Sequence, residues 1–228
     1  MNGQEFFSIK IVRDNAIIIG CIAPVKRLII PEKVLCYGKE YTIIEIADRA
    51  FYECTIIESV SIPATVMRIG REAFSRCNNL TEMWLEDGNI SICYDDTEYD
   101  EQRPPIKKLY IGRNIMLKDS SFSPFNSCPT LTHITIGDNV TFIGDSTFID
   151  CANIKTIVFG KNLHYIGEGA FMNSMSIESI ELPRHLLIIE KWAFSCCKQL
   201  SKVYLPQTTL IIDNAFEDCN NDLQLIYY

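Results

Sequence analysis

The sequence predicts a β-rich repeat solenoid, and three observations support this prediction. The short motif A-F-x-x-C recurs along the chain. Its phenylalanines are separated by 22 or 23 residues, apart from one interval of 51. Each motif is followed by a short run that alternates apolar and polar residues, as a half-buried strand does. A fixed period in the twenties indicates stacked coils, because one coil cannot bury its apolar residues alone.

The motif has four close copies, three relaxed copies and one degenerate copy. The close copies are Ala50–Cys54, Ala73–Cys77, Ala193–Cys197 and Ala215–Cys219, and the relaxed copies are Pro124–Cys128, Thr147–Cys151 and Ala170–Ser174. The interval of 51 residues, between Phe74 and Phe125, is two periods plus five residues. It therefore predicts a hidden copy with its strand at Ile106–Gly112 and with Arg103 in the cysteine position.

The stretch LTEMWLEDG shows how one strand is expected to form. Leu80, Met83 and Leu85 are predicted to point inward, because Met83 and Leu85 alternate with Glu82 and Trp84. Proline follows several strands and is predicted to stop the ladder where no donor is needed. Glycine follows the next isoleucine and suits a tight turn with positive φ. These prolines are Pro63, Pro183 and Pro206, and the glycines are Gly70, Gly144 and Gly167.

The repeat unit I-G-x-x-A-F-x-x-C-x-x-L-x-x-I-x-L-P-x-x-V-x-x-I-G resembles the BspA-like leucine-rich repeats of bacterial and protozoan proteins. The resemblance runs from about Ile46 to the end of the sequence. We predict a right-handed, curved stack of about eight 23-residue coils. Residues 1–45 are predicted to form an N-terminal β-hairpin cap and first rung, and residues 46–228 the repeat array. The degenerate repeat, with an acidic insertion, lies near residues 93–112.

Composition limits the classes of function. The chain is 47% apolar with a mean hydropathy of +0.07, which is typical of a globular protein. Its net charge of −8 and pI near 5.0 argue against nucleic-acid and anionic-membrane partners, which need a basic surface. The longest apolar run, Ala16–Val25, is far shorter than the roughly 20 residues of a membrane-spanning helix. The first residues show no signal-peptide pattern. Localisation stays open between the cytoplasm and, by the resemblance, the cell surface or secretion.

Six of the ten cysteines share one position of the repeat. They are Cys54, Cys77, Cys128, Cys151, Cys197 and Cys219. A column of stacked side chains cannot surround one zinc ion, and its neighbours are spaced too widely for an undistorted disulfide. We therefore predict buried free thiols that act as small hydrophobic side chains. Cys196 occupies a polar position and is predicted to be the most accessible thiol. Pairing of Cys21 with Cys36 stays open, because it depends on the redox compartment.

No pattern of catalytic residues is found. His133, His164 and His185 occupy different positions of the repeat, so no nucleophile and base are expected to meet. The chain lacks the common phosphate-binding, zinc-protease and hydrolase motifs. We expect no enzyme activity, no cofactor and no metal. The acidic run Asp95–Gln102 lacks an alternating D-x-D-x-D-G pattern, so a solvated loop is preferred, with a calcium site as the alternative.

The outward strand positions are the candidate binding surface, because their side chains do not hold the fold together. Trp84 and Tyr110 are predicted to lie on adjacent rungs, flanked by Glu82 and Lys108, which is the usual make-up of a binding hot spot. The alternative is that these aromatic residues only pack across strands. The predicted ligand-binding residues are Glu82, Trp84, Lys108, Tyr110, His133, Thr135, Lys202 and Tyr204.

These observations predict a non-catalytic module that binds a protein or glycan on its concave strand face. BspA-like proteins are commonly associated with cell surfaces and adhesion, so the resemblance implies surface adhesion. The alternatives are a cytoplasmic scaffold or regulatory interaction domain and, from a different class, an enzyme or metal protein. The final stretch LQLIYY has no polar capping segment after it. It predicts either an oligomer through this C-terminal rung or self-capping by Tyr227 and Tyr228.

Overall fold

Each period of the sequence forms one turn of a β-solenoid. The computed structural model describes residues 6–95, 102–117 and 123–228, which contain about nine turns and no helix. The strands, in chain order, are β1 (Phe7–Val12), β2 (Asn15–Cys21), β3 (Arg27–Ile29), β4 (Lys33–Cys36), β5 (Lys39–Ile46), β6 (Ser59–Ile62), β7 (Arg68–Ile69), β8 (Glu82–Leu85), β9 (Ile92–Tyr94), β10 (Lys108–Ile111), β11 (Ile115–Leu117), β12 (His133–Ile136), β13 (Phe142–Ile143), β14 (Thr156–Val158), β15 (Tyr165–Ile166), β16 (Ser179–Glu181), β17 (Ile188–Ile189), β18 (Lys202–Leu205), β19 (Leu210–Ile211) and β20 (Gln224–Tyr227).

The strands that follow the cysteines form the front sheet. One parallel ladder runs through β3, β6, β8, β10, β12 and β14, and a second runs through β16, β18 and β20. Equivalent residues pair one to one; Lys108 lies opposite Glu82 on one side and His133 on the other. The predicted hidden repeat is confirmed, because its strand β10 takes its place between β8 and β12. This register stacks equivalent side chains in columns.

The other sheet strands close each coil. One group runs through β5, β7, β9 and β11, and another runs through β13, β15, β17 and β19. At the start of the chain, β1 and β2 form an antiparallel hairpin, β2 pairs in parallel with β5, and β4 pairs antiparallel with β5. The predicted opening hairpin is therefore present. The division of the chain at residue 45 stays a prediction.

A column of phenylalanine rings runs through the core. Phe148, Phe171 and Phe194 stack nearly parallel, with centroids 5.2 Å apart at each step. Phe51 and Phe74 stack at 5.1 Å in the same way. Flat rings at this spacing pack the interior while contributing aromatic attraction beyond the area that they bury. The inward strand residues complete the core, and the predicted Leu80, Met83 and Leu85 are all buried.

Two of the glycines that follow isoleucine, Gly70 and Gly167, are needed for close approach, not for positive φ. A Cβ on Gly70 would lie 2.3 Å from Asp48 Oδ1, and one on Gly167 would lie 2.4 Å from Asp145 Oδ1. Neither of these glycines nor Gly144 has positive φ. The positive φ predicted for them is therefore wrong. Positive φ falls instead on two positions of the repeat, the residue before the alanine of the motif and, in seven copies, the residue before the cysteine position. The residues before the cysteine position are Glu53, Arg76, Ser127, Asp150, Asn173, Cys196 and Asp218.

The explanation predicted for the strand-end prolines was also wrong. In three copies without proline, the residue at this position donates its N–H to the preceding rung. Gly112 N bonds to Leu85 O, and Gly137 N bonds to Ile111 O, both over 2.7 Å. A donor is therefore used at this position, and a proline there removes a bond that other rungs have.

Candidate functional site

Six of the eight predicted ligand-binding residues lie together on three adjacent strands. We call them the front row: Glu82 and Trp84 on β8, Lys108 and Tyr110 on β10, and His133 and Thr135 on β12. The strands place them outward because the alternating neighbours, such as Met83 and Leu85, are buried. Register pairs Trp84 with Tyr110 and Tyr110 with Thr135. The row thus presents aromatic, charged and hydroxyl groups side by side.

The charged members of the front row are partly engaged with neighbours. Lys108 Nζ lies 3.0 Å from Glu82 Oε1, on the adjacent strand. His133 Nδ1 lies 2.8 Å from the hydroxyl of Thr132. Because Lys108 is exposed, its ion pair with Glu82 is screened by solvent and stabilises the fold little. These groups can therefore exchange their partners for those of a ligand at small expense.

The two aromatic residues of the front row differ in their exposure and in their hydrogen bonding. Trp84 is 36% exposed. Tyr110 is half-buried, and its hydroxyl donates to Asp87 Oδ1 over 2.8 Å. Burial, followed by the hydrogen bond to the Asp87 carboxylate, raises the pKa of Tyr110 to about 12. Tyr110 is thus a fixed neutral phenol, whereas Trp84 is the more accessible ring.

The structure does not bring Lys202 and Tyr204 to the front row. Both lie on β18, which belongs to the second ladder of the front sheet. Strands β14 and β16 lie between them and the front row, and the ladder is broken between these two strands. Tyr204 is 37% exposed, and Val158 on the intervening β14 is 53% exposed. The eight predicted residues therefore form two separate groups.

Four cysteines of the column are buried, Cys54 and Cys219 are half-buried, and members of the column make a specific contact. None of the ten cysteines forms a disulfide. Sγ of Cys77 donates to Phe51 O over 3.0 Å, and Sγ of Cys151 donates in the same way to Phe125 O. Burial raises the pKa of both thiols to about 12, so they are poor nucleophiles. The predicted small hydrophobic side chains are present, and they also serve as weak hydrogen-bond donors.

The structure also describes the exposure of Cys196 and the pairing state of Cys21 and Cys36. Cys196 is half-buried, as are four other cysteines, so this degree of exposure does not single it out. Cys21 and Cys36 are free thiols, and Cys21 lies near Cys54. Its own pKa is raised, mainly by burial.

The described residues contain no group of three or more histidine, cysteine or acidic side chains placed to hold a metal ion. Most of the acidic run Asp95–Gln102, which was the alternative calcium site, lies outside them. Its first residue, Asp95, is buried and accepts a hydrogen bond from Arg68 Nε over 2.8 Å. None of these residues forms a helix long and apolar enough to cross a bilayer.

Several contacts that the motif search missed join residues one period apart. Asp87, which holds Tyr110, precedes it by 23 residues. Asp138 likewise accepts the backbone N–H of Lys161, 23 residues later, over 3.0 Å. Polar pairs at this separation are a usable signal, because equivalent positions on successive rungs are adjacent in space. The fully buried Arg113 has no such signal, since its carbonyl partners lie 49 and 50 residues away.

A family model for the BspA type leucine-rich repeat region, in six copies, matches residues 44–124 and 118–227. The chain belongs to the BspA-type leucine-rich repeat family. The resemblance predicted from the repeat unit is therefore confirmed.

Solved leucine-rich repeat proteins share this fold at low sequence identity. A leucine-rich repeat protein from Eubacterium ventriosum is 19% identical, with a TM-score of 0.57; the match covers 88% of this chain and 60% of that one. A leucine rich cell surface protein from Faecalibacterium prausnitzii is 18% identical, with a TM-score of 0.45 and coverage of 97% and 93%. No curated protein matches the chain. The Eubacterium structure supports the fold alone.

Proposed function

We propose that the chain is a non-catalytic binding module that recognises a partner protein through the front row. The observation that carries this proposal is the register across β8, β10 and β12, which aligns six outward side chains that the core does not need. The leucine-rich repeat family supports an interaction or adhesion role.

The geometry favours a protein over a glycan. Stacking on a sugar needs an open aromatic face, but the Tyr110 ring is half-buried and its hydroxyl is held by Asp87. An accessible indole beside a lysine, a glutamate and a histidine is typical of a protein hot spot with a polar rim. Trp84 is expected to be the anchor, with Lys108 and His133 contributing to specificity.

The test compares binding by wild type and by a Trp84→Ala/Tyr110→Ala variant. Each would be exposed to extracellular-matrix and mucin extracts and, separately, to cytoplasmic lysate. Tyr37→Ala is the matched control, because it removes a fully exposed aromatic residue from the turn between β4 and β5. All baits must first show equal β-type circular dichroism and thermal midpoints.

The proposal expects a partner protein that binds wild type and Tyr37→Ala equally and is lost from the double variant. Removal of a hot-spot aromatic residue typically weakens binding by about 2 kcal/mol or more. If no partner protein is lost from the double variant, the two rings serve only strand packing. If glycosidase treatment of the extract abolishes binding of the partner, the ligand is a glycan and not a protein.

A further inference from the structure

The backbone ladder of the front sheet is interrupted between β14 and β16. The carbonyl oxygens of Thr81, Lys107 and Thr132 each accept two N–H groups from the following rung, over 2.7–3.2 Å. Lys155 is next in this series, and its carbonyl accepts none from any described residue. The two strands share no ladder, whereas β15 and β17, on the other side of the same coils, remain paired. The interruption is therefore confined to the front.

Pro183 removes one possible bond between the two rungs, although Pro63 and Pro206 occupy the same position on rungs that do pair. Its equivalent in an earlier rung, Gly137, donates its N–H to Ile111 O over 2.7 Å. Proline has no N–H to donate. The carbonyl of Phe159 is consequently left without a backbone or side-chain donor among the described residues.

The size of an inward side chain also distinguishes this pair of rungs. Paired rungs approach so closely that a Cβ on Gly160 would lie 2.2 Å from Gly137 O. The inward position at 159 holds a phenylalanine, whereas the same position in neighbouring rungs holds the smaller Ile136 and Leu182. The larger ring packs edge-on against Phe171, with centroids 6.0 Å apart.

The interruption opens the core to the front of the molecule. Ile157 and Phe159 are only half-buried, although they occupy inward positions. The equivalent Ile134 and Leu182 are 1% and 0% exposed. A cleft of about 530 Å³ results, with Ile157 and Phe159 in its floor. This volume lies within the range of ligand sites in proteins. We call it the β14–β16 cleft.

The rim of the cleft carries a cation without an ion pair. Arg184 is exposed, and its guanidinium lies 5.3 Å from the ring centre of Tyr228. No described carboxylate lies within 4.0 Å of this guanidinium. The carboxylate of Glu181, on the same rim, is also farther away than this. The other rim cation, Lys161, is paired with Asp138 at 2.8 Å. Arg184 is thus the rim cation available to an acidic group.

We propose that the β14–β16 cleft binds an extended segment of a partner protein in which an apolar residue adjoins an acidic one. The apolar side chain packs on Ile157 and Phe159, and the carboxylate pairs with Arg184. Backbone N–H groups of the segment donate to the carbonyls of Lys155 and Phe159. Four residues of strand separate these carbonyls by about 13 Å, which matches an extended peptide that lies along a strand edge. A lipid or sugar acid would leave this pair of acceptors without amide donors.

This site is independent of the front row, because the cleft shares none of the front-row residues. A Trp84→Ala/Tyr110→Ala variant is therefore expected to keep it. Failure of the proposed front-row function would leave this proposal standing, and the reverse also holds.

The test selects a phage-displayed library of random heptapeptides on wild-type protein. Selected peptides would be synthesised, labelled with fluorescein and titrated by fluorescence polarisation. The control is Phe159→Leu/Pro183→Gly, which restores the residues of well-paired rungs and is expected to close the cleft. Hydrogen exchange at residue 183 checks closure, since the new amide should be protected. A second variant, Arg184→Glu, changes only an exposed side chain and tests the charge without altering the core.

The proposal expects selected peptides that share an apolar residue next to aspartate or glutamate. Their affinity should fall at least tenfold on closure and at least tenfold with Arg184→Glu. Replacing the peptide's acidic residue with lysine should restore binding to Arg184→Glu. No enrichment, a consensus without this pair, or equal binding to the Arg184→Glu variant would overturn the proposal.

Discussion

The thiol of Cys77 donates to the carbonyl oxygen of Phe51, one rung earlier, across 3.0 Å. The same relationship joins Cys151 to Phe125 and Cys219 to Phe194, each at 3.0 Å. The cysteine of the repeat therefore packs as a small apolar group and also bonds to a main-chain acceptor between rungs.

Replacing Cys77 with alanine is expected to destabilise the protein by about 2 kcal/mol. The substitution opens a small cavity and removes one of the two donors to the buried Phe51 carbonyl, which keeps the N–H of Cys54. Urea unfolding in a reducing buffer measures this loss. Cys196→Ala is the matched control, since Cys196 is half-buried one position before the column. Equal stability of both variants would show that the column adds nothing beyond a surface cysteine.

Alkaline pH is expected to destabilise the fold through the buried thiols. Burial raises the pKa of Cys77 and Cys151 from 9.0 to about 12. The unfolded chain therefore loses these protons first, and stability falls between pH 9 and about 12. Each thiol contributes at most about 1.4 kcal/mol per pH unit. Arg113, whose pKa burial lowers to about 10, acts with the opposite sign above that pH.

Thermal midpoints measured at pH 8, 9, 10 and 11 under reducing conditions would test this dependence. A Cys77→Ala/Cys151→Ala variant should begin with a lower midpoint and lose less of it as the pH rises. Parallel curves for the variant and wild type would contradict the assignment to these thiols.

Truncating one ring in the middle of the phenylalanine column is expected to be severe. Phe171 is fully buried and stacks on Phe148 and Phe194, so Phe171→Ala should reduce the free energy of unfolding by about 3–5 kcal/mol. Phe216 is half-buried and stacks on Phe194 alone, so its truncation should matter less. Chemical denaturation of both variants measures the two losses in the free energy of unfolding. A larger loss at Phe216 would show that stacking position does not set the stability.

Asp218→Gly is expected to stabilise the protein by about 0.5–1 kcal/mol. Asp218 is exposed and adopts a φ of 56°, which glycine accepts more readily than a residue with a Cβ. Asp218→Val, with a branched Cβ at the same φ, should destabilise the protein. Thermal unfolding compares the two variants. The opposite order of stability would exclude backbone strain as the cause.

The repeat period made the architecture predictable, because a side chain's position within the unit fixes whether it faces the core. The burial of Met83 and Leu85 and the exposure of Trp84 follow from alternation alone. The same reasoning placed β10 without a recognisable motif. Its limits appear where two rungs must fit together, as at Gly70, whose role depends on Asp48 in the coil before it.

The sequence predicted which residues of the candidate site point outward. It did not predict that the front sheet is interrupted between them. The sequence placed Tyr204 in the same column as Trp84, and both do point outward. The break between β14 and β16 coincides with Pro183 and Phe159 on one rung pair; proline recurs at its position, and Phe159 keeps the apolar character of its own position. The hydrogen bond from Tyr110 to Asp87 required side-chain geometry that alternation does not contain.

Arg113 lies wholly inside the protein and donates to the carbonyls of Pro63 and Ala64, two coils back. Repeat arrays usually couple only adjacent units, so that their ends can fray one unit at a time. A side chain that reaches past its neighbour joins three coils into one cooperative block. At the front, the coils on either side of the β14–β16 cleft lack even the ordinary link. Local unfolding should therefore begin at the cleft and stop at the three coils that Arg113 joins. Local stability is thus lowest at the cleft and highest in those coils.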